Sequence, residues 1–283
     1  MVTMRIRRTL TNTINYVGLM PFLLFALFPF YWMILCSIKS NLELYNPRMN
    51  PFVINLKPTP EHYVYLFHQT NFPLWFCNTF FVCIIATIFS VTISILAGYA
   101  LARLKFRGAN ILGVGIFITY LIPPTLLFLP LAKLMGSLRL SDTLWSLIIT
   151  YPSFMTPFST WMLMAFFRAI PKEIEECALV DGCTRLQAIR KVVLPLALPG
   201  IITVTLFSFL QGWQDVIYSV AFISSSRYKT LTVGVLQELI RGDVYYWGSL
   251  MGGALIGSIP VILIFVFLLD YYISGLTAGA VKQ

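Results

Sequence analysis

The chain has 283 residues, of which 58% are hydrophobic and only 11% are charged. A soluble domain carries about 25% charged residues, so this composition excludes a water-soluble fold and requires lipid as the solvent. The five cysteines and two histidines show no disulfide framework and no metal-site spacing. The formal net charge of +9 lies beside apolar runs, which is typical of a cytoplasmic membrane face and not of a nucleic-acid-binding protein.

Six apolar runs are long enough to cross a bilayer, because about 20 helical residues span its hydrocarbon core. They cover residues 16–38, 74–102, 109–132, 143–167, 192–223 and 244–269. Only the fifth run contains a charge, Asp215. The middle runs contain Pro123, Pro124, Pro130, Pro152 and Pro157. Since proline kinks helices, the sequence predicts an all-α integral membrane protein with six transmembrane helices, some of them bent as in a transport path.

Lysines and arginines orient the predicted bundle. They cluster before the first run, in the loops after the second and fourth runs, and in the tail: Arg5, Arg7, Arg8, Arg103, Lys105, Arg107, Arg168, Lys172, Arg185, Arg190, Lys191 and Lys282. Such residues accumulate on the cytoplasmic side. We therefore expect cytoplasmic segments at 1–15 and 276–283 around a six-span domain at 16–275, with outward loops at about 39–73, 133–142 and 224–243.

Small residues recur at four-residue steps in two of the runs. The second run has Ser90, Ser94 and Gly98, and the sixth run has Ser249, Gly253 and Gly257. Small side chains in this spacing let helix backbones approach closely. Both sets therefore predict packing seams, either within the chain or against another subunit.

The cytoplasmic loop 168–195 is predicted to form two short helices that meet at a bend. Pro171 suits the first turn of a helix, and Gly182 can adopt the left-handed backbone that ends one. Thr184 can cap a second helix, which Pro195 would end. Acidic residues favour the positive end of the first helix dipole: Glu173, Glu175 and Glu176.

One face of the first loop helix is predicted to be apolar. Ile174, Ala178 and Leu179 share that face by their spacing. A patch of small and apolar side chains flanked by charge suits docking into a groove on a soluble partner.

The same loop resembles the EAA motif of ABC importer permeases, which reads Glu-Ala-Ala, three residues, Gly, nine residues, then Ile, any residue and Leu-Pro. The matching positions are Glu176, Cys177, Ala178, Gly182, Val192, Leu194 and Pro195. Cysteine replaces the first alanine, and valine replaces isoleucine. The resemblance implies a type I ABC importer permease bundle whose coupling helix, with Glu173 in its first turn, lies in a cleft of an ATP-binding subunit.

Two further segments resemble the carbohydrate branch of that family, specifically the second permease of maltose-like importers. They are residues 275–282, at the C-terminus, and 228–234, in the last outward loop. In the family, the tail reaches between the two ATPase subunits and the outward loop contacts the sugar-binding protein. The resemblance therefore implies binding-protein contacts at Tyr228, Lys229, Thr230 and Leu231.

The resemblance also implies partners. They are a second homologous permease subunit, two ATP-binding subunits, an extracytoplasmic solute-binding protein and a sugar substrate. No glycine precedes a lysine in the sequence, so a Walker A phosphate loop is missing. We therefore expect no enzyme activity and no cofactor on this chain, with ATP and Mg bound by the partner ATPases.

A polar stripe in the fifth run marks a possible solute path. Its members are spaced to share one face of an unbroken helix: Ser208, Gln211, Gln214, Asp215 and Tyr218. Polar side chains at membrane depth are costly unless they face a bundle interior or a wet cavity. The stripe could therefore line a translocation path and bind sugar hydroxyls. Alternatively, it joins helices together, or Asp215 lies near the outer interface.

The leading function is the translocation subunit of an ATP-driven sugar importer. A first alternative keeps this transporter class but changes the cargo to a polyol, a sugar phosphate or an amino acid. A second is an ion-gradient secondary transporter or channel, a class that typically shows buried charges or inverted repeats. A structural membrane scaffold is the third alternative, although it gives the charged loop 168–195 no purpose.

Overall fold

The computed structural model describes residues 2–104, 106–241 and 244–280, and it describes side chains within these ranges over 15–240 and 244–268. The predicted anchors Lys105 and Lys282 and the tail residues 281–283 lie outside the described residues, as do the side chains of Arg5, Arg7 and Arg8. The described chain consists of helices and loops, with one antiparallel ladder that pairs Ile240 with Tyr245 and Arg241 with Val244. This helical architecture is the one that the apolar runs predict.

The chain forms two compact units, each described here by itself. The first unit comprises the chain up to Thr70 and Val235–Ser258, and the second comprises Asn71–Gly234 and the chain from Ile259. The first contains α1 (Val2–Ile38), α2 (Asn41–Leu44), α3 (Glu61–Gln69), β1 (Ile240–Arg241) and β2 (Val244–Tyr245). The second contains α4 (Phe72–Arg103), α5 (Ala109–Leu121), α6 (Pro124–Ser137), α7 (Leu144–Thr150), α8 (Pro152–Ala169), α9 (Lys172–Val180), α10 (Arg185–Ala188), a π turn (Ile189–Val193), α11 (Leu194–Leu196), α12 (Leu198–Trp213), α13 (Ile217–Phe222) and a 3-10 turn (Ser226–Tyr228). The boundary between the units falls within two helices, α14 (Leu231–Leu239) and α15 (Trp247–Ala280), so each of them has residues in both units.

Among the described residues, three helices are long and apolar enough to cross a membrane. They are Asn15–Ile38, Phe72–Arg103 and Trp247–Leu268, which match the first, second and sixth predicted runs. Two bent helix pairs could each supply one more span. These are Ala109–Leu121 with Pro124–Ser137, bent by 95°, and Arg185–Leu196 with Leu198–Trp213, bent by 75°. The count of six spans stays a prediction.

Prolines account for the breaks. Ile122 and Pro123 each precede a proline and have extended ψ angles of 120° and 129°, because the ring of the following proline disfavours helical geometry. The fourth predicted run also divides at Tyr151, directly before Pro152, although Tyr151 keeps helical angles, with φ of −56° and ψ of −38°. The division lies where Pro152 has no N–H to donate. The third and fourth runs thus each form a pair of shorter helices, α5 with α6 and α7 with α8, that meet at prolines predicted to kink these runs.

The seam predicted in the second run packs α4 against α8, both in the second unit. Ser90 and Ser94 are fully buried, and the Oγ atom of Ser94 donates to the carbonyl of Thr156 at 3.3 Å. A Cβ atom added at Gly98 would lie 3.2 Å from the side chain of Leu163. Small residues thus allow these two helices to lie in close contact.

In the first unit, the loop after α1 is organised around the buried carboxylate of Glu43. The ammonium group of Lys39 lies 3.1 Å from it, and the two side chains are only 3% and 1% exposed. Asn55 donates to it through its backbone and its side-chain amide at 2.8 and 3.0 Å, and the backbone N–H of Leu56 donates at 3.2 Å. Burial raises the pKa of Glu43, but these hydrogen bonds outweigh burial and lower the pKa to about 2.

We predict that Glu43→Gln loosens the loop 39–57, because Lys39 then stays buried without its counter-ion. Removing one partner of a buried ion pair costs about 3–5 kcal/mol. The folded pKa of about 2 lies below the ordinary 4.5, so the carboxylate stabilises the loop at neutral pH. That stabilisation is lost as the pH falls from about 4.5 towards 2. Hydrogen–deuterium exchange over 40–57, expressed as protection factors, measures both effects.

The matched control is Glu61→Gln in the same unit. The carboxylate of Glu61 is 43% exposed and accepts a hydrogen bond from the backbone N–H of Asn41 at 3.0 Å. We expect this control to lose less protection than Glu43→Gln, since water can replace the contact. Equal protection in Glu43→Gln and wild type at neutral pH would contradict the assignment of Glu43 as the centre of the loop.

Candidate functional site

The bend predicted in the loop 168–195 is present, and local hydrogen bonds fix its geometry. Helix α9 ends at Val180, after which Gly182 has a φ angle of +88°. The N–H of Gly182 donates to the carbonyl of Leu179 at 3.1 Å, and that of Cys183 donates to Ala178 at 3.0 Å. This pair of bonds is the Schellman arrangement, in which glycine tolerates the left-handed backbone. The prediction that Gly182 ends the first helix is confirmed.

Thr184 begins the second helix of the bend, as predicted. Its backbone N–H donates to the side chain of Gln187 at 2.8 Å, and the N–H of Gln187 donates back to the Thr184 hydroxyl at 3.4 Å. Sequence reasoning missed Gln187, although threonine followed three residues later by glutamine is the signature of such a capping box. The two motifs together hold α9 and α10 at a defined angle.

The second helix ends at Leu196, one residue after the end predicted at Pro195. The helical path continues from α10 through the π turn Ile189–Val193 and α11 to Leu196, and it bends by 75° before α12. Pro195 lies in the first turn of α11. Because proline has no N–H and its ring clashes with the preceding turn, the helical path ends one residue after Pro195, and the bend falls just before Leu198 and Pro199.

The apolar surface of the bend differs from the predicted patch. Ala178 faces inward and is buried, while Ile174 is 40% exposed. The most exposed apolar side chains are instead Val180 at 87% and Leu186 at 74%, which flank the turn at Gly182. Of the other predicted coupling residues, the structure places Glu173, Glu176, Cys177, Gly182 and Pro195 at the surface and Leu194 half-buried. Spacing along one helix could not reveal a surface formed by two helices.

A buried contact joins α9 to the end of α4, and sequence reasoning missed it. The hydroxyl of Tyr99 donates to the carboxylate of Glu175. The Nε atom of Arg103 lies 3.6 Å from the same carboxylate, with the two side chains 4% and 10% exposed. The guanidinium of Arg103 also donates to the carbonyl of Ile170 at 2.6 Å. The available signal was a tyrosine and an arginine four residues apart at the end of an apolar run.

The polar stripe does not lie on one helical face, so that prediction is wrong. Helix α12 ends at Trp213 and α13 begins at Ile217. The carboxylate of Asp215 accepts hydrogen bonds from the N–H groups of Tyr218 at 3.4 Å and Ser219 at 3.0 Å. Aspartate favours such caps over a helix interior, and this preference breaks the run.

Four of the five stripe residues nevertheless meet at one cavity. It has a volume of about 160 Å³ and is lined by Pro124, Phe154, Gln211, Gln214, Asp215, Ile217 and Tyr218. In the described part of the chain, the amide oxygen of Gln211 is buried without a hydrogen-bond partner. Ser208 does not line the cavity, because it is fully buried and its Oγ atom lies 3.1 Å from that of Ser159. The geometry of Ser208 therefore supports the alternative in which a stripe residue holds two helices together, here α8 and α12.

The loop 224–230, which the sequence predicts to face outward, is anchored to the first turns of α4. The indole of Trp75 donates to the carbonyl of Ser226 at 2.7 Å. The amide of Asn78 donates to the carbonyls of Arg227 and Lys229 at 2.9 and 3.0 Å. The hydroxyl of Thr79 accepts a bond from the N–H of Leu231 at 2.7 Å. A Cβ atom at Gly234 would lie 2.2 Å from the indole of Trp75, so glycine is required where α14 meets α4.

Asp142 anchors the other end of the same loop. Its carboxylate accepts hydrogen bonds from the N–H groups of Ser224 and Ser225 at 2.9 and 2.8 Å and from the Ser225 hydroxyl. The hydrogen bond from the Ser225 hydroxyl is the main reason why the pKa of Asp142 lies below its ordinary value. The loop is therefore fixed at both ends.

Only part of the predicted binding-protein contact is at the surface. Tyr228 is 39% exposed, whereas Lys229, Thr230 and Leu231 are buried. Arg227, which the sequence prediction did not include, is also exposed. The buried residues hold the loop in place, and the hydroxyl of Thr230 lies 2.8 Å from that of Ser219.

Comparison with known proteins identifies the family. The model of the binding-protein-dependent transport system inner membrane component matches residues 90–278. The chain belongs to this family. The inner membrane ABC transporter permease protein YcjP of Escherichia coli K12 is 36% identical, with 98% of each chain covered. The sulfoquinovosyl glycerol transport system permease protein SmoH of Agrobacterium fabrum is 32% identical over 95% of this chain and 93% of its own.

A solved structure has the same fold. It belongs to a bacterial ABC transporter involved in the import of the acidic polysaccharide alginate, and it matches with a TM-score of 0.79 at 22% identity, covering 93% of this chain and 97% of the other. These findings confirm the resemblance drawn from the EAA-like loop, and with it the type I permease fold. The chain is a multi-pass inner-membrane transport subunit of a binding-protein-dependent importer.

Proposed function

We propose that this chain is the translocation subunit of an ATP-driven importer that takes up a sugar or oligosaccharide from an extracytoplasmic binding protein. The carbohydrate cargo is supported by the names of the relatives, since SmoH is named for sulfoquinovosyl glycerol and the solved transporter for alginate. A second homologous permease and two ATP-binding subunits, which bind ATP and Mg, complete the proposed assembly.

The observation that carries the proposal is the bend at Gly182. It exposes two apolar side chains, Val180 and Leu186, beside the surface charges of Glu173 and Glu176. Exposed apolar side chains on a rigid convex turn suit insertion into a groove. We place the bend and both termini in the cytoplasm, where the positive loops are expected, so that the ATP-binding subunits provide the groove.

We predict that Val180→Glu and Leu186→Glu weaken association with the ATP-binding subunits. Each substitution buries an unpaired carboxylate in an apolar groove, and a central interface residue contributes about 2 kcal/mol or more, roughly a 30-fold change in affinity. Co-purification of the ATP-binding subunits from detergent-solubilised membranes measures the effect.

The control for this experiment is Val244→Glu in β2, where the valine is 56% exposed at the predicted outer end of the sixth run. We expect wild-type recovery of the ATP-binding subunits with this variant. Wild-type recovery with Val180→Glu and Leu186→Glu as well would contradict docking at the bend.

The outward loop is the proposed contact for the binding protein. Arg227 and Tyr228 offer a charge and an aromatic ring at the surface of a loop that Trp75, Asn78 and Asp142 hold in place. A fixed loop loses little conformational entropy when it binds. Within the predicted contact set, Tyr228 makes the contact, while Lys229, Thr230 and Leu231 support it.

The cavity at the α12–α13 break is the proposed element of the solute path. Two amide side chains, a carboxylate and a tyrosine line it, and these groups match the donors and acceptors of sugar hydroxyls. Neither lysine nor arginine is among the described lining residues, which favours an uncharged sugar over a sugar phosphate. A polyol or an amino acid remains the alternative cargo.

We predict that Gln211→Ala and Asp215→Asn raise the KM for uptake by about tenfold, since each removes a hydrogen bond to a polar solute worth roughly 1–2 kcal/mol. Uptake of radiolabelled sugars by cells that express the whole importer measures this change. The control is Ser208→Ala, which deletes a packing contact only and leaves the KM unchanged. Normal KM values for Gln211→Ala and Asp215→Asn would contradict a role in the path.

A further inference from the structure

Among the described span-length helices, α4 is the one without an interior proline. It runs unbroken from Phe72 to Arg103 over 32 residues, which corresponds to about 48 Å. Its only proline, Pro73, lies in the first turn. The other two span-length helices contain interior prolines, Pro21 and Pro29 in α1 and Pro260 in α15. Since interior prolines are the commonest cause of helix kinks, α4 is the stiffest of the three.

The outward end of α4 is bound to the proposed binding-protein contact. Within about two turns, Trp75, Asn78 and Thr79 make four hydrogen bonds to backbone atoms of residues 226–231. Trp75 and Thr79 are both buried. The loop contributes only backbone atoms to these bonds, and it cannot keep them by rotating a side chain of its own. If the loop moves, either the first turns of α4 move with it or the bonds break.

The other end of α4 is bound next to the bend at Gly182, which we call the coupling bend. Tyr99 and Arg103 lie one turn apart and both meet the carboxylate of Glu175 on α9. Arg103 also binds the carbonyl of Ile170 directly before α9. Between the two ends, the small residues of the seam hold α4 closely against α8. Both functional surfaces of the proposed importer are therefore attached to one rigid helix.

We infer that α4 is the mechanical link between the binding-protein loop and the coupling bend, with Tyr99 and Arg103 as positioning residues that transmit its movement through Glu175. The inference rests on the proposed function, because it requires an ATP-binding subunit at the bend and a binding protein at the loop. Coupling between two sites is reciprocal. The nucleotide state of the ATPase must therefore change the affinity of the outward face for the binding protein, and α4 carries that change.

The test measures this coupling on the complete importer in nanodiscs. The probe is the fluorescently labelled binding protein of the same importer, and its Kd is determined without nucleotide and with ATP trapped by vanadate. We expect the ratio of the two Kd values to be tenfold or more in wild type, within the range of about 5–150-fold typical of allosteric coupling. Complexes are matched for subunit stoichiometry before measurement, so that a folding defect does not enter the ratio.

Two mild variants and a control decide the outcome. Tyr99→Phe removes one hydroxyl at the inner end, and Asn78→Asp removes the amide donor at the outer end; each should reduce the ratio to below about threefold. Tyr120→Phe removes a hydroxyl from α5, where the ring is 42% exposed, and should keep the wild-type ratio. The double variant Tyr99→Phe, Glu175→Ala should fall no further than Glu175→Ala alone, since Glu175→Ala already removes the acceptor that the Tyr99 hydroxyl contacts.

The outcomes separate the inference from the proposed function. If the binding protein does not bind the wild-type importer in either state, both are overturned, whereas binding with a ratio of one overturns the inference alone. A large wild-type ratio that Tyr99→Phe and Asn78→Asp retain overturns the inference about α4 and leaves the proposed function intact.

Discussion

The structure around the bend at Gly182 depends on one buried carboxylate, that of Glu175. Removing a charged group from water costs several kcal/mol unless an opposite charge and hydrogen bonds compensate for it, and here Arg103 and Tyr99 provide them. These contacts hold helix α9 against the end of α4. With Glu175 facing α4, Ala178 one turn later also faces inward, and Val180 is left on the outside of the turn. The surface that we propose for docking thus follows from the buried contact between Arg103 and Glu175.

Some helical runs of this chain are broken while α4 is continuous, and this combination suits a bundle that moves. Consecutive prolines interrupt the third run at Pro123 and Pro124, and the cap made by Asp215 interrupts the fifth. Each break frees backbone groups, and freed groups need a polar or wet neighbourhood in a membrane. The cavity at Asp215 provides one. Helix α4 has no such break, so it can transmit displacement where its neighbours would bend.

Much of this architecture could be predicted from the sequence, because its strongest signals are local. Apolar length predicts the long helices, the EAA-like spacing predicts the family, and the left-handed preference of glycine predicts the stop at Gly182. The predictions that failed required tertiary information. The stripe around Asp215 was read as one helix because periodicity cannot reveal that an aspartate caps the next helix. Likewise, the sequence of residues 228–231 does not reveal that Lys229 and Leu231 are buried while Tyr228 is exposed.

The central claim is that the bend at Gly182 touches an ATP-binding subunit. The most direct measurement introduces a photo-reactive benzophenone amino acid at Val180, which is 87% exposed, in the importer assembled in native membranes. Irradiation should yield a covalent product with the ATP-binding subunit, whereas the same group at Val244 should not. A product with the extracytoplasmic binding protein, or none with the ATP-binding subunit, would contradict the account.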